Sequence, residues 1–130
     1  MQDFKKIRAW QRAHALSIEI HTLARNFARK GHAILRTQIV KSSSSIAATI
    51  SEGCGADTKK EFARFLDMAI KSAHETEHHL MGARDFRLIS PDAWAKLNGE
   101  TIEIRKTIFV YRRKVLESID EPPRTEELDD

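Results

Sequence analysis

The stretch Leu35–Gly55, LRTQIVKSSSSIAATISEGCG, constrains the fold more than any other part of the chain. Its run of serines gives it the look of a low-complexity linker. The apolar residues contradict that: Leu35, Ile39, Ile46 and Ile50 recur at spacings of four, seven and four, which places them on one face of a helix. The serines and alanines between them are small, so such a helix can approach its neighbours closely. The segment reads as a packed inner helix, and a packed inner helix requires other helices around it.

The rest of the chain supplies them. The first proline is Pro91 and there are only five glycines in 130 residues. A long proline-free run suits long helices, because proline removes a backbone donor and glycine weakens helix interiors. The spacing predicts a first helix from about Asp3, which can cap it, to Arg29, with Ala13, Leu16, Ile20, Leu23, Ala24 and Phe27 on its apolar face and Gly31 breaking it. The second runs from about Ala33 to Glu52, where Gly53 and Gly55 offer the left-handed conformation that helix ends often adopt. Thr58 followed by Glu61 is a capping box opening a third helix. Its stripe of Phe62, Phe65, Leu66, Ala69, Ala73, Thr76, Leu80 and Ala83 carries it to about Phe86. Ser90-Pro91-Asp92 combines a serine cap, a proline at the first helical position and an acid in the first turn. The fourth helix then places Trp94, Leu97, Thr101, Ile104, Ile108, Tyr111 and Val115 on one face and ends near Ile119. Four helices joined by short loops make antiparallel neighbours. The expected fold is all-α, an antiparallel up-down-up-down four-helix bundle over residues 1–119. Residues 120–130, acidic and interrupted by Pro122-Pro123, read as a disordered tail.

No run of ~18 apolar residues is present, which argues against a membrane span. The N-terminus lacks the apolar core of a signal peptide. With one cysteine there is no internal disulfide, and the cytoplasm is the expected location. The net charge of +3 conceals an asymmetry. Residues 120–130 hold six acids against Arg124, a charge of −5, which leaves +8 on the first 119 residues. A basic body suits an anionic partner such as nucleic acid.

Three pieces of the chain, covering roughly residues 3–118, together resemble the 23S rRNA intervening-sequence protein family. The first is Phe4-Lys5-Lys6-Ile7 followed by Trp10-Gln11 and Ala13-His14. The second is Leu35, Gln38-Ile39, Ser42, Ser45-Ile46, Ile50 and Glu52-Gly53. The third is Phe62, Arg64-Phe65-Leu66, Ala69, Ser72, Glu75, Glu77 and Leu80. Thr49 stands where that family often has asparagine and Lys71 where it often has glycine. The resemblance implies a left-handed bundle that assembles into homopentameric rings, with members often encoded inside rRNA-gene inserts. It also extends to the accessory protein of diversity-generating retroelements, a basic pentamer that binds nucleic acid and a reverse transcriptase. It implies neither catalysis nor a cofactor.

Lys5, Arg8 and Arg12 lie at i, i+3 and i+7 on the first helix; Arg105, Arg112 and Arg113 lie late in the fourth. Antiparallel neighbours bring the start of one beside the end of the other. These six, with Lys6 and Lys106, are therefore expected to form one cationic patch at one end, the candidate nucleic-acid site. A ring would repeat the patch, and repeated phosphate contacts add through avidity. The acidic tail leaves from the same end, where it would shield the patch or pair with a neighbouring subunit.

Other residues tempt less. Glu75-x-x-His78 has the form used by di-iron bundles, but such a site needs a second copy and two more glutamates, and the chain has no second copy. His74 and His78 as zinc ligands lack a third. No metal site is expected. Cys54 sits at a helix C-terminus, whose partial negative charge disfavours a thiolate, so no catalytic residue is expected either. Serines 42–45 sit mid-helix, where backbone N–H groups are already used, and read as packing residues. Glu52, an acid at a helix C-terminus, calls for compensation by the start of the next helix or by Arg64. Glu52, Arg64, Glu75 and Glu77 are read as structural or inter-subunit polar contacts. Phe4, Trp10 and Trp94 fill the core if they face inward and anchor an interface if they face outward. The expectation is a non-enzymatic homo-oligomer, pentameric by resemblance, that binds RNA through phosphate contacts; its rival is a scaffolding oligomer with a protein partner.

Overall fold

A computed structural model describes residues 2–120, and among them there are four α-helices and no strand. They are α1 (Arg8–Ala24), α2 (Ala33–Gly53), α3 (Lys59–Asp85) and α4 (Pro91–Glu117), with single 3-10 turns at Phe4–Lys6 and Ser118–Asp120. Of the expected tail, residues 120–130, Asp120 belongs to the Ser118–Asp120 turn, and the rest lies outside the described residues.

The two strongest start signals act as their chemistry dictates. The Thr58 hydroxyl accepts the Glu61 N–H at 3.1 Å, and the Ser90 hydroxyl accepts the Ala93 N–H at 3.1 Å with Pro91 in the first turn. Each satisfies one of the donors that a helix start leaves unpaired. The first helix departs from expectation. Asp3 caps the Phe4–Lys6 turn, accepting from Lys5 N–H at 3.1 Å, and Ile7 is extended at φ −80°, ψ 119°. The break lets Phe4, Ile7 and Trp10 all pack against the core, and β-branched Ile7 gives up little by leaving the helix. At its other end α1 stops at Ala24, short of Arg29. A succession of turns follows, in which His32 N–H reaches back to the Phe27 carbonyl at 2.9 Å and Gly31 takes φ +86°.

Gly31 is the one glycine among the described residues with positive φ. The expectation that Gly53 and Gly55 end α2 in a left-handed conformation therefore fails: Gly53 is helical and Cys54 caps at φ −65°. Gly53 is needed for a different reason, the closeness of Phe62 and Phe65.

The apolar stripes meet in one core. Leu16, Ile20, Ile39, Ile46, Ile50, Leu66, Leu80, Ile104 and Ile108 are fully enclosed, each contributing about 1.5–3 kcal/mol of burial. Small residues line the approach of α2 to α3, including Ser42, Ser43, Ala47, Ala69 and Ala73, all buried. Their hydroxyls remain satisfied. Thr76 Oγ1 lies 3.0 Å from Ser42 Oγ and 2.9 Å from the Ser72 carbonyl, and Ser45 Oγ donates to Ser72 Oγ at 2.6 Å. The residue numbers run in opposite senses across this seam. They do so again across α1 and α4, where Arg12 meets Glu100 and Glu19 meets Lys96. The same holds across α3 and α4, where Asp67 meets Arg112 and Glu77 meets Arg105. Three opposed registers are consistent with up-and-down alternation, and they bring the start of α1 to the end of α4.

Candidate nucleic-acid interface

The face that α4 turns to the start of α1 carries Lys106, Thr107, Val110, Tyr111 and Lys114, which line a shallow cleft of about 400 Å³. Thr107 and Tyr111 are shared with an adjoining cleft of about 670 Å³ formed by Gln2, Asp3, Lys6, Ile7, Arg8 and Ala9. The two make one trough across the junction of the N-terminal segment and α4. Lys6, Arg8, Lys106 and Lys114 are exposed along it, and none has an ion pair among the described residues. Asp3 is the single carboxylate among the lining side chains. Tyr111 forms part of the wall, packed edge-on against Phe62 at 5.7 Å between ring centroids. Its hydroxyl donates to Gln2 Oε1, and burial pushes the phenol above its ordinary value of 10.0. Tyr111 therefore stays a neutral donor. The arrangement can hold phosphate oxygens by charge and by ammonium and guanidinium donors.

The eight cations expected to form one patch do not act as one. Helical residues advance by about 100° each, so Arg105 and Arg112, seven apart, share a face, and α4 turns that face toward α3. Arg105 Nε donates to Glu77 Oε2 at 2.7 Å. Arg112 Nε stands 3.9 Å from Asp67, beyond hydrogen-bond range, and its N–H is enclosed without an acceptor. Arg12 forms a two-pronged pair with Glu100, at 3.1 Å and 2.7 Å, and the hydrogen bond to Glu100 raises the guanidinium pKa further. Arg113 lies 3.9 Å from Glu117 on its own helix. Lys5 is exposed beside the trough, its ammonium 6.0 Å from the Phe4 ring. Lys6, Arg8 and Lys106 are thus the expected cations that line the trough. Lys114 joins them and was not anticipated; its spacing of eight from Lys106, on the stripe of Thr107 and Tyr111, is the signal that marks it.

The polar residues singled out also find their places. Glu52 is exposed and has no ion pair among the described residues, so the expected pairing with Arg64 does not form. The Arg64 guanidinium instead lies 5.2 Å from the Phe65 ring and 4.0 Å from Glu61, partners within its own helix turn. At the start of α3 the Thr58 hydroxyl, and not Glu52, accepts the Glu61 N–H. Glu77 is held between Arg105 and, at 3.9 Å, His74; Glu75 lies 3.9 Å from His79. Among the described residues no group of three or more His, Cys, Asp or Glu is placed to hold a metal ion. Burial is the largest cause raising the Cys54 thiol above its ordinary value, with Asp3 adding to it. Phe4, Trp10 and Trp94 are half-buried against the core; Trp10 stacks on His14 at 4.9 Å and meets Phe4 edge-on at 5.0 Å. No helix among the described residues is long and apolar enough to cross a membrane.

The family model for the 23S rRNA-intervening sequence protein matches residues 5–109. Among solved structures, a protein of unknown function from the S23 ribosomal protein family of Bacteroides thetaiotaomicron is similar in fold, with a TM-score of 0.77 at 24% identity. The match covers 81% of this chain and 95% of that one. No curated protein matches.

Proposed function

The chain belongs to the 23S rRNA-intervening sequence protein family, and from that premise we propose that it is a non-enzymatic, homo-oligomeric bundle that binds RNA through phosphate contacts. The observation that carries the reading is the trough in which Lys6, Arg8, Lys106 and Lys114 face solvent without carboxylate partners among the described residues. These four gather at one junction whose lining holds a single carboxylate, Asp3, which makes it a local excess of positive potential. Condensed counterions released from RNA on contact would drive binding. The pentameric ring implied by the resemblance would set five troughs on one assembly and multiply weak contacts by avidity. The cytoplasm is the compartment that suits this role.

A second reading rests on a separate observation. At the opposite end of the bundle Ile34 and Phe86 are large, exposed and adjacent to one cleft. Such a surface suits a protein partner and a scaffolding role. The two readings separate on one experiment: binding of a labelled RNA to the full chain across a salt series, with oligomer mass measured in parallel. The RNA reading expects affinity to fall steeply with salt, and Lys6→Glu with Lys106→Glu to weaken it about tenfold and flatten the salt slope. Absence of binding at low salt with the oligomer intact overturns it in favour of the scaffold.

A further inference from the structure

We infer that the nucleic acid this surface takes is single-stranded, with Phe109 as a stacking platform for an unpaired base. The inference rests on the RNA reading above and narrows it. Phe109 is 51% exposed on α4. It lies three residues from both Lys106 and Arg112, so its ring is flanked by cations on the same helix face. It lines a cleft of about 570 Å³ together with Ile70, His74 and Val110. Lys106 and Val110 line this cleft and also the basic trough, so the two surfaces are continuous across α4. Arg112 is only loosely engaged, 3.9 Å from Asp67 with its Nε–H unaccepted, whereas Arg105 is tied to Glu77 at 2.7 Å. A strand crossing α4 would thus meet phosphate-binding ammoniums on one side and an exposed π-face bordered by a loosely held guanidinium on the other. That pairing of a cationic track with an aromatic face is what sequence-tolerant single-strand binding requires. A duplex keeps its base faces inside its own stack and offers Phe109 nothing to cover.

The test is fluorescence anisotropy of the full chain with a labelled oligouridine, an abasic strand and a blunt duplex of equal length at fixed low salt. The oligouridine is expected to bind roughly tenfold more tightly than the abasic strand. Phe109→Ala and Phe109→Leu should both erase that difference, and Phe109→Trp should keep it. The leucine variant preserves apolar bulk, so a loss there reports the aromatic face. Equal affinity for oligouridine, abasic strand and duplex, or an unchanged preference in Phe109→Ala, overturns stacking while the phosphate reading stands. Failure of every strand to bind the unsubstituted protein overturns both. A fall in oligomer mass on Phe109→Ala assigns the ring to a contact between copies and overturns the inference.

Discussion

Gly53 lies so close to Phe65 that a β-carbon built on it would stand 2.8 Å from the Phe65 β-carbon, with Phe62 Cδ1 at 2.9 Å. One of the two neighbours is a rooted Cβ and cannot swing away. Gly53→Ala is therefore expected to destabilise the bundle by about 1–3 kcal/mol through overpacking, even though alanine is the better helix former. Gly99, also helical, has nothing within 4 Å of the same position. There the propensity acts alone, and Gly99→Ala should stabilise by about 0.5–1 kcal/mol. Urea denaturation of the pair gives opposite signs; the same sign for both would show that the close approach is not what selects glycine.

The Arg105–Glu77 pair joins α4 to α3 with side chains only 25% and 19% exposed. Partial burial strengthens the attraction, and it also makes either group costly to strand. Glu77→Ala should destabilise by about 1–3 kcal/mol. In a double-mutant cycle the coupling of the pair should exceed that of Arg113 and Glu117, whose side chains are mostly exposed and for which about 0.5 kcal/mol or less is expected. Equal couplings would place the bridge among surface pairs.

Arg87 closes α3 at φ 60°, where Leu88 N–H reaches the Ala83 carbonyl at 2.9 Å. A β-carbon disfavours that conformation by about 1–2 kcal/mol, partly offset by the extra freedom glycine has when unfolded. Arg87→Gly should raise stability by about 0.5–1 kcal/mol in thermal or urea unfolding. A loss would mean that the arginine side chain contributes more than the turn strain removes.

Burial pushes the His79 imidazole below its ordinary value of 6.5; Glu75 opposes the shift and His78 adds to it. The folded state then binds its proton less readily than the unfolded chain. Stability contributed by neutral His79 is complete above about pH 6.5 and is lost as pH falls through that value toward the lower folded one. Denaturation midpoints should decline between pH 7.5 and 5.5, and His79→Gln should flatten the decline. An unaltered slope would assign the acid sensitivity to other groups.

Much of this architecture is legible in the residues, and the boundary of what is legible has a physical cause. Thr58 with Glu61 and Ser90 with Pro91 mark helix starts because capping is local chemistry. The stripes through Ile46, Leu66 and Ile104 mark the core because burial follows a fixed period. The break at Ile7 is not marked, since it arises from the packing of Phe4 and Trp10 against distant helices. The role of Gly53 is likewise set by Phe62 and Phe65 on another helix. The cationic surface was readable as to which end of the bundle holds it. Its membership depends on rotation about α4: Arg112 faces Asp67, while Lys114, two residues on, lines the trough. Clustering along the chain favours Arg112 and Arg113, and only the helical face identifies Lys114.

The row of hydroxyls from Ser42 and Ser45 to Ser72 and Thr76 keys two helices to one another. Sliding one rod along the other by a single turn, about 5.4 Å, would part Ser42 from Thr76 and Ser45 from Ser72 together, leaving Ser42, Ser45 and Thr76 the carbonyls of their own helices. The observed register is the one that makes both cross-helix bonds at once. The junction of α2 and α3 consequently fixes the register between the end that carries Lys6 and Lys114 and the end that exposes Ile34 and Phe86.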